Sequence, residues 1–149
     1  MTKAGTVSDA LVSQIDIMAT IADFVGYKLP DDQAEDSHNL APLLRGDVDA
    51  VRTTHIHNTT NTQYAIRHGD WVLIDAKEGY CKAHDEVEAW EEKHGYPEDD
   101  DQPAELFNLV EDIGQRNNLA AEYPERVLEL QSLLKRIREQ GYSAPRLAK

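Results

Sequence analysis

The sequence AIRHGDWVLID, from Ala65 to Asp75, predicts a β-hairpin. Its two strands are expected at Gln63–Arg67 and Trp71–Asp75, where side chains alternate between two faces. Gly69 and Asp70 can form the two-residue turn, since glycine readily takes the positive φ that such turns require. The hairpin predicts a small antiparallel sheet around which the rest of the chain is organised.

Two further segments are predicted to extend this sheet. Thr53–Thr59 is rich in β-branched residues, and Ile56 is its one large apolar side chain, a pattern that favours an edge strand. Glu105–Leu109 alternates again and is the last strand candidate. The expected sheet therefore has about four strands.

The clearest helix signal is PERVLELQSLLKRIREQG, which begins at Pro124 and ends at Gly141. Proline suits the first turn of a helix, and glycine commonly follows the last. The apolar residues recur at helical spacing and predict a buried stripe of Val127, Leu130, Leu134 and Ile137. This amphipathic helix is expected to cover one face of the sheet, which makes the fold class α+β.

A second helix is predicted from Gln14 to Val25, where more than half of the circumference is apolar. Such a helix needs more cover than a small sheet provides, which indicates that it packs against another surface. The turn-rich segment 28–49 is interpreted as a surface strap held by Leu40, Leu43 and Leu44. A further surface helix, with Val87, Trp90 and His94 on one side, is expected from Ala83 to Gly95.

The charge of the chain is strongly negative and concentrated in its middle. The 149 residues carry a net charge of −13, and the segment from Ala76 to Glu125 holds fifteen acidic against four basic residues. Nucleic acids and anionic membrane surfaces are therefore disfavoured as partners, because both attract clustered Lys and Arg. No apolar run approaches the about 20 residues of a membrane span. A solvated acidic face is the simplest interpretation.

The histidines and the one cysteine form no metal or nucleophile motif that can be assigned from spacing. His55 and His57 would share one face of a strand, but no third ligand is tied to them. Cys81 and His84 are three positions apart and lack a second pair. Cys81 lies in an acidic segment that favours an inert thiol. The acidic run Asp99–Asp101 is interpreted as a solvated loop rather than a calcium site.

Several landmarks occur in the order found in one enzyme family. LVSQIDIMATIADFVGYKLP, NLAPLLRG, YAIRHGDWVLID and AELFNLVEDIGQRNNLAAEYPERVLELQSLL resemble the C-terminal region of the sulfatases, the arylsulfatase-type sulfuric ester hydrolases. The resemblance implies that residues 1–50 are the C-terminal edge of an alkaline-phosphatase-like main domain. Residues 51–149 would then be the C-terminal subdomain. Val72, in place of the usual Lys, and Gln115, in place of the common Glu, depart from the family pattern.

The same resemblance implies a chemistry whose residues lie elsewhere. Sulfatases hydrolyse aryl or carbohydrate sulfate esters with a formylglycine, made from Cys or Ser, and with calcium that neutralises the sulfate oxygens. Cys81 does not fit the modification motif, because Asp85 stands where the motif requires Arg. No catalytic residue, metal ligand or cofactor is therefore expected in this chain. It would be an inactive C-terminal fragment, with its compartment unknown although relatives are often periplasmic or secreted.

One residue is nevertheless a candidate for contact with substrate. The resemblance places His57, in the loop HIHNTTNTQ, at the rim of the substrate pocket of the intact enzyme. The implied partners are the upstream catalytic domain of the same protein and its sulfate ester. The apolar stripe of the N-terminal helix separately predicts self-association through that helix. Two alternatives stay open: a free-standing acidic protein-interaction module with the same fold, and a histidine-based metal binder.

Overall fold

The computed structural model describes residues 2, 4–60, 62–76, 85–94 and 102–145. The chain divides into two compact units, one made of Met1–His55 with Ile137–Lys149 and the other of Ile56–Arg136. The elements in chain order are a 3-10 turn at Gln14–Asp16, α1 at Ile17–Phe24, α2 at Ala41–Arg45, β1 at Thr54–Asn58, β2 at Tyr64–His68, β3 at Trp71–Ile74, α3 at Asp85–His94, β4 at Glu105–Asn108 and α4 at Pro124–Gln140.

The four strands form one antiparallel sheet in the order β1-β2-β3-β4. The hairpin pairs Ala65 with Ile74 and His68 with Trp71, which leaves Gly69 and Asp70 as the predicted two-residue turn. Gly69 takes a φ of +60°, as the turn between these strands requires. The prediction of a small four-stranded antiparallel sheet with helices is therefore confirmed.

The centre of the sheet is a row of three cross-strand neighbours. Ile66, Leu73 and Leu106 face one another across β2, β3 and β4 and are completely buried. The residues beside this row point to the opposite face and are buried as well, namely Ala65, Val72 and Phe107. The sequence predicted cover on one face of the sheet, and the structure shows buried side chains on both.

The helix α4 contacts the hairpin through Gln131 and Arg126, and two of its leucines are buried. Leu130 and Leu134 are at most 1% exposed. Gln131 donates a hydrogen bond of 2.8 Å from Nε2 to Oδ1 of Asp75, directly after β3. The guanidinium of Arg126 lies 5.4 Å from the ring centroid of Trp71. These contacts confirm the prediction that the terminal helix packs against the hairpin.

The N-terminal helix begins with a 3-10 turn and continues as α1 to Phe24, close to the predicted range. The segment 28–49 contains a helix, α2, that the sequence interpretation as a strap did not include. Pro42 stands in its first turn, and Gly46 ends it with a φ of 80°. The prediction that Leu44 anchors this segment is wrong: Leu44 is exposed, and the fully buried residue is Ala41.

The predicted surface helix after the hairpin is present as α3. Trp90 stacks on His94 with ring centroids 4.2 Å apart, and the indole is half exposed. The candidates Cys81, His84 and Asp99–Asp101 lie outside the described residues.

Candidate functional site

The sequence-based candidate His57 lies near the end of the edge strand β1 and is exposed. The segment after it is held by its own side chains, since Asn58 Nδ2 donates to the carbonyl of Thr60 at 3.0 Å. Thr60 Oγ1 in turn lies 3.2 Å from Oε1 of Gln63. The exposed position is compatible with contact to a ligand, and the role of His57 in substrate binding stays a prediction.

His55, two positions earlier, is engaged differently. Its Nδ1 lies 3.1 Å from Nη1 of Arg52. A guanidinium can only donate, so Nδ1 of His55 accepts this hydrogen bond and carries no proton. That nitrogen is therefore occupied, which weakens the idea that His55 and His57 hold a metal ion. Within the described parts of the chain, no group of three or more His, Cys, Asp or Glu side chains is arranged for a metal.

A buried polar cluster in the N-terminal unit was not anticipated from the sequence. At its centre, the completely buried Asp16 accepts 2.9 and 2.8 Å hydrogen bonds from the main-chain N–H groups of His38 and Ser13. Arg52 places Nη2 at 3.5 Å from Oδ1 of Asp16, and both side chains are at most 1% exposed. A buried carboxylate needs such compensation, because desolvation of an unpaired charge is costly.

Hydroxyl groups connect this cluster to the helix and to the segment before α2. Thr20 Oγ1 donates to the carbonyl of Asp16 at 2.7 Å and accepts from the N–H of Leu40 at 2.9 Å. Ser37 Oγ accepts from the N–H of Ala19 at 2.9 Å. Main-chain groups that neither a helix nor a sheet would satisfy are thus satisfied by buried side chains.

The guanidinium of Arg52 joins three segments of the N-terminal unit. Besides its contacts to Asp16 and His55, Nη2 donates to the main-chain carbonyl of Asp36 at 2.9 Å. Its Nε is buried and finds no hydrogen-bond acceptor among the residues that the structure describes. Burial lowers the pKa of Arg52, while Asp16 and Asp36 raise it. Arg52 thus depends on Asp16 as its buried counter-charge.

The arrangement of these groups indicates structural support rather than catalysis. Asp16 and the side chain of Arg52 have almost no accessible surface, so a substrate cannot reach them. The signal that could have revealed them is an acidic residue inside a strongly apolar helix sequence. The spacing of Ser13 and Asp16 in the sequence is that of a capping box, and the structure contains it, since Asp16 Oδ2 accepts from the N–H of Ser13. The pairing of Asp16 with Arg52 was not anticipated, and Arg52 was not singled out.

The outer face of α1 carries large apolar side chains in contact with solvent. Ile17, Met18, Ile21 and Phe24 are each 51–60% exposed. This agrees with the prediction that the helix needs another surface. Such an exposed group is unusual for a monomeric protein and is typical of an interaction site. Among the described residues, no helix is long and apolar enough to cross a bilayer.

Comparison with known proteins gives one consistent result. The chain is 31% identical, over 129 residues, to an N-acetylgalactosamine-6-O-sulfatase of Bacteroides thetaiotaomicron. A solved sulfatase, described in connection with the metabolism of multiple glycosaminoglycans by the same organism, superposes with a TM-score of 0.67 at 28% identity. A protein solved with its substrate D-glucosamine-2-N,6-O-disulfate superposes with a TM-score of 0.66 at 23% identity, which shows the fold alone. No protein-family model matches the chain.

The matches cover most of this chain but little of each relative. They include 87%, 89% and 93% of its residues, in the order given above. The chain spans about a quarter of the length of these relatives, at 24%, 26% and 26%. The matched portion of the curated relative is its C-terminal part.

Proposed function

Because this chain corresponds to the C-terminal region of the sulfatase family, we propose that it is the structural C-terminal part of a sulfatase and supports a catalytic domain formed by preceding residues. Residues 1–50 would complete the edge of that main domain, and residues 51–149 would form the subdomain beside it. The observation that carries this proposal is the exposed apolar face of α1 in a chain that spans a quarter of its relatives.

The energetics of the α1 face support an intramolecular partner. Burying apolar surface stabilises by about 25 cal/mol per Å². Complete burial of one large apolar side chain stabilises a protein by about 1.5–3 kcal/mol. Four such side chains on α1 are each more than half exposed, so covering them would stabilise the protein by several kcal/mol. In the proposal, the remaining three quarters of a sulfatase provide the covering surface.

The cofactors of the proposed enzyme would be held outside this chain. The sulfatase resemblance implies calcium and a formylglycine, which together supply the nucleophile and neutralise the sulfate. The residues present do not fit either group, since Cys81 lacks the required Arg four positions later and the buried carboxylate Asp16 is already paired with Arg52. The role assigned to this chain is binding and support.

The proposed substrate is a carbohydrate sulfate. The curated relative acts, by its name, on 6-O-sulfated N-acetylgalactosamine, and the 28% identical structure is tied to glycosaminoglycan metabolism. A 6-O-sulfated amino sugar is therefore the first substrate to test, with an aryl sulfate as the alternative. In this proposal, His57 contributes to the rim of the pocket that receives the sugar.

The proposal can be tested by grafting. A chimera in which this chain replaces the aligned C-terminal part of the Bacteroides sulfatase should fold and hydrolyse N-acetylgalactosamine 6-sulfate, because the two chains align over 129 residues at 31% identity. In the chimera, His57→Ala should lower kcat/KM about tenfold or more, the effect of losing one hydrogen bond to a charged group. The measurement is steady-state sulfate release.

The matched control for His57 is His94→Ala, which removes another exposed histidine and should leave kcat/KM within twofold. The isolated 149-residue chain should release no sulfate from the same substrate. Equal activity of the His57 variant and the parent chimera would remove His57 from the substrate site. Turnover by the isolated chain would overturn the structural role.

The α1 face allows a second test. In the isolated chain, Ile21→Ser should change the free energy of unfolding by no more than about 0.5 kcal/mol, because the side chain is already exposed. In the chimera, the same change should lower the melting temperature and the yield of folded enzyme, since the side chain is then buried. Leu128→Ser, on the exposed side of α4, is the control that should affect neither protein.

The runner-up function is a free-standing acidic interaction module, which the acidic segment between Ala76 and Glu125 favours. Under that alternative, Ile21→Ser would have no effect in the chimera. Self-association through α1 is the remaining possibility for the exposed face. It predicts a dimer in sedimentation equilibrium that Ile21→Ser converts to a monomer. An open reading frame that lies directly upstream and encodes the sulfatase catalytic motif would favour the sulfatase proposal over both alternatives.

A further inference from the structure

The buried cluster of the N-terminal unit contains a histidine whose neutral ring has one defined tautomer. His38 places Nδ1 at 3.0 Å from the main-chain carbonyl of Val51. A carbonyl only accepts, so Nδ1 carries the proton of the neutral ring and a second proton would have to bind Nε2. The main-chain N–H of His38 donates a hydrogen bond to Asp16, and 9% of the surface of His38 is exposed.

The charged groups that face His38 come from three segments. They are Asp16 in the 3-10 turn, Asp36 in the preceding loop and Arg52 before β1. Burial and the nearby Arg52 lower the pKa of His38, and the carbonyl of Val51 and the two acids offset this in part. The geometry brings the two residues together, because the N–H of His38 and Nη2 of Arg52 lie 2.9 and 3.5 Å from the same Oδ1 of Asp16. A protonated His38 would therefore add a second cation near the buried guanidinium, where charges interact more strongly than in water.

Arg52 and the C-terminal residues meet at one loop. The guanidinium donates to the main-chain carbonyl of Asp36 at 2.9 Å. The side chain of Asp36 accepts hydrogen bonds from the N–H and Oγ of Ser143, at 2.8 and 2.7 Å. The N–H of Ala144 donates to the carbonyl of Glu35 at 3.1 Å, and Ala144 is buried. Asp36 therefore binds Arg52 through its main chain and the C-terminal segment through its side chain.

We propose that these groups form an acid-sensitive latch, in which one proton bound at Nε2 of His38 displaces Arg52 from Asp36 and releases Ser143 and Ala144. The closed latch holds His38 neutral, with its Nδ1–H donating to the main-chain carbonyl of Val51. The open latch exposes His38 to water, where its pKa returns to the ordinary value. Opening is thus coupled to proton uptake, and the device does not depend on the sulfatase chemistry proposed above.

The sign of the pH dependence follows from the lowered pKa. Below the ordinary pKa of about 6.5, the open form binds more protons than the closed form, so acid favours opening. The latch is fully stable above pH 6.5 and loses stability as the pH falls toward the pKa of His38 in the closed form. Over that window, the opening equilibrium should change by up to about tenfold per pH unit.

The test is amide hydrogen exchange of Ser143 and Ala144 in the full 149-residue chain, followed by NMR between pH 7.5 and 5 and corrected for intrinsic exchange. We expect protection of both amides to begin to fall near pH 6.5 and to level off where the His38 ring of the closed form titrates. His38→Asn keeps a donor toward Val51 but cannot titrate, and it should remove the pH dependence. His94→Asn, a change to an exposed histidine, should retain it.

A second variant separates the latch from its trigger. Ser143→Ala removes one of the hydrogen bonds to Asp36 and should lower protection at every pH while leaving the slope unchanged. If His38→Asn does not fold, the unmodified chain decides the matter, because the loss of protection must level off at the pH where the His38 ring titrates. Protection that is constant from pH 7.5 to 5, or a slope that persists in His38→Asn, would overturn the proposal.

Discussion

Replacement of Arg52 by methionine is expected to destabilise the isolated chain by about 3–5 kcal/mol, the usual effect of breaking a buried ion pair. Methionine approximates the length of the aliphatic stem and removes the charge. Asp16 then stays completely buried without its counter-charge, and the carbonyl of Asp36 and Nδ1 of His55 lose their donor. Urea unfolding followed by circular dichroism measures the change.

The matched control is Arg45→Met. Arg45 also contacts carboxylates, Asp23 at 3.6 Å and Asp47 at 3.0 Å, but these groups are exposed. Exposed ion pairs contribute little, so this variant should unfold at the same urea concentration as the parent. A double variant, Asp16→Leu with Arg52→Met, should cost less than the sum of the single changes, because no buried charge is left unpaired. Equal effects of Arg52→Met and Arg45→Met would contradict this account of the cluster.

The sheet and the terminal helix could be predicted because local signals agree with the tertiary structure. Gly69 gives the turn, alternation gives the strands, and the spacing of Leu130 and Leu134 gives the helix face. Each of these features depends on neighbours in sequence or on one hydrophobic stripe. An element can be predicted from sequence where its local conformational preference agrees with its place in the tertiary structure.

The buried cluster could not be predicted because its partners are far apart in sequence. Asp16 and Arg52 are 36 positions apart, and their pairing depends on how the segment around α2 folds back. The spacing of Ser13 and Asp16 correctly indicates a cap, in which Asp16 Oδ2 accepts from the N–H of Ser13, but it does not specify the distant partners of Oδ1. Periodicity records which face is apolar, and it carries no information about which distant charge is buried beside it.

The α1 helix depends both on local sequence preferences and on contacts between residues that are distant in sequence. Its length and its apolar excess are local properties and were predicted, and its need for a further surface followed from them. The polar residues that fix it, Asp16 and Thr20, point inward, while most of its large apolar side chains point outward. Inside this chain, the helix is thus held by hydrogen bonds. A helix with its polar side chains buried and its apolar side chains exposed is expected when the surface that covers the apolar side chains lies outside the chain.

Replacement of Leu130 by alanine is expected to destabilise the chain by about 2–5 kcal/mol, the range for a fully buried leucine. Leu130 is completely buried at the centre of α4. Alanine favours the helix at least as well as leucine, so any loss reports on the missing packing and the cavity rather than on helix propensity. The urea midpoint should fall with an unchanged slope.

Leu128 provides the control on the same helix. It lies two positions earlier, is 63% exposed, and its replacement by alanine should shift the free energy of unfolding by about 0.5 kcal/mol or less. The comparison removes helix propensity and side-chain type as variables, because both changes are Leu→Ala in α4. If Leu130→Ala were as mild as Leu128→Ala, the buried face of the terminal helix would not contribute packing energy to the structure.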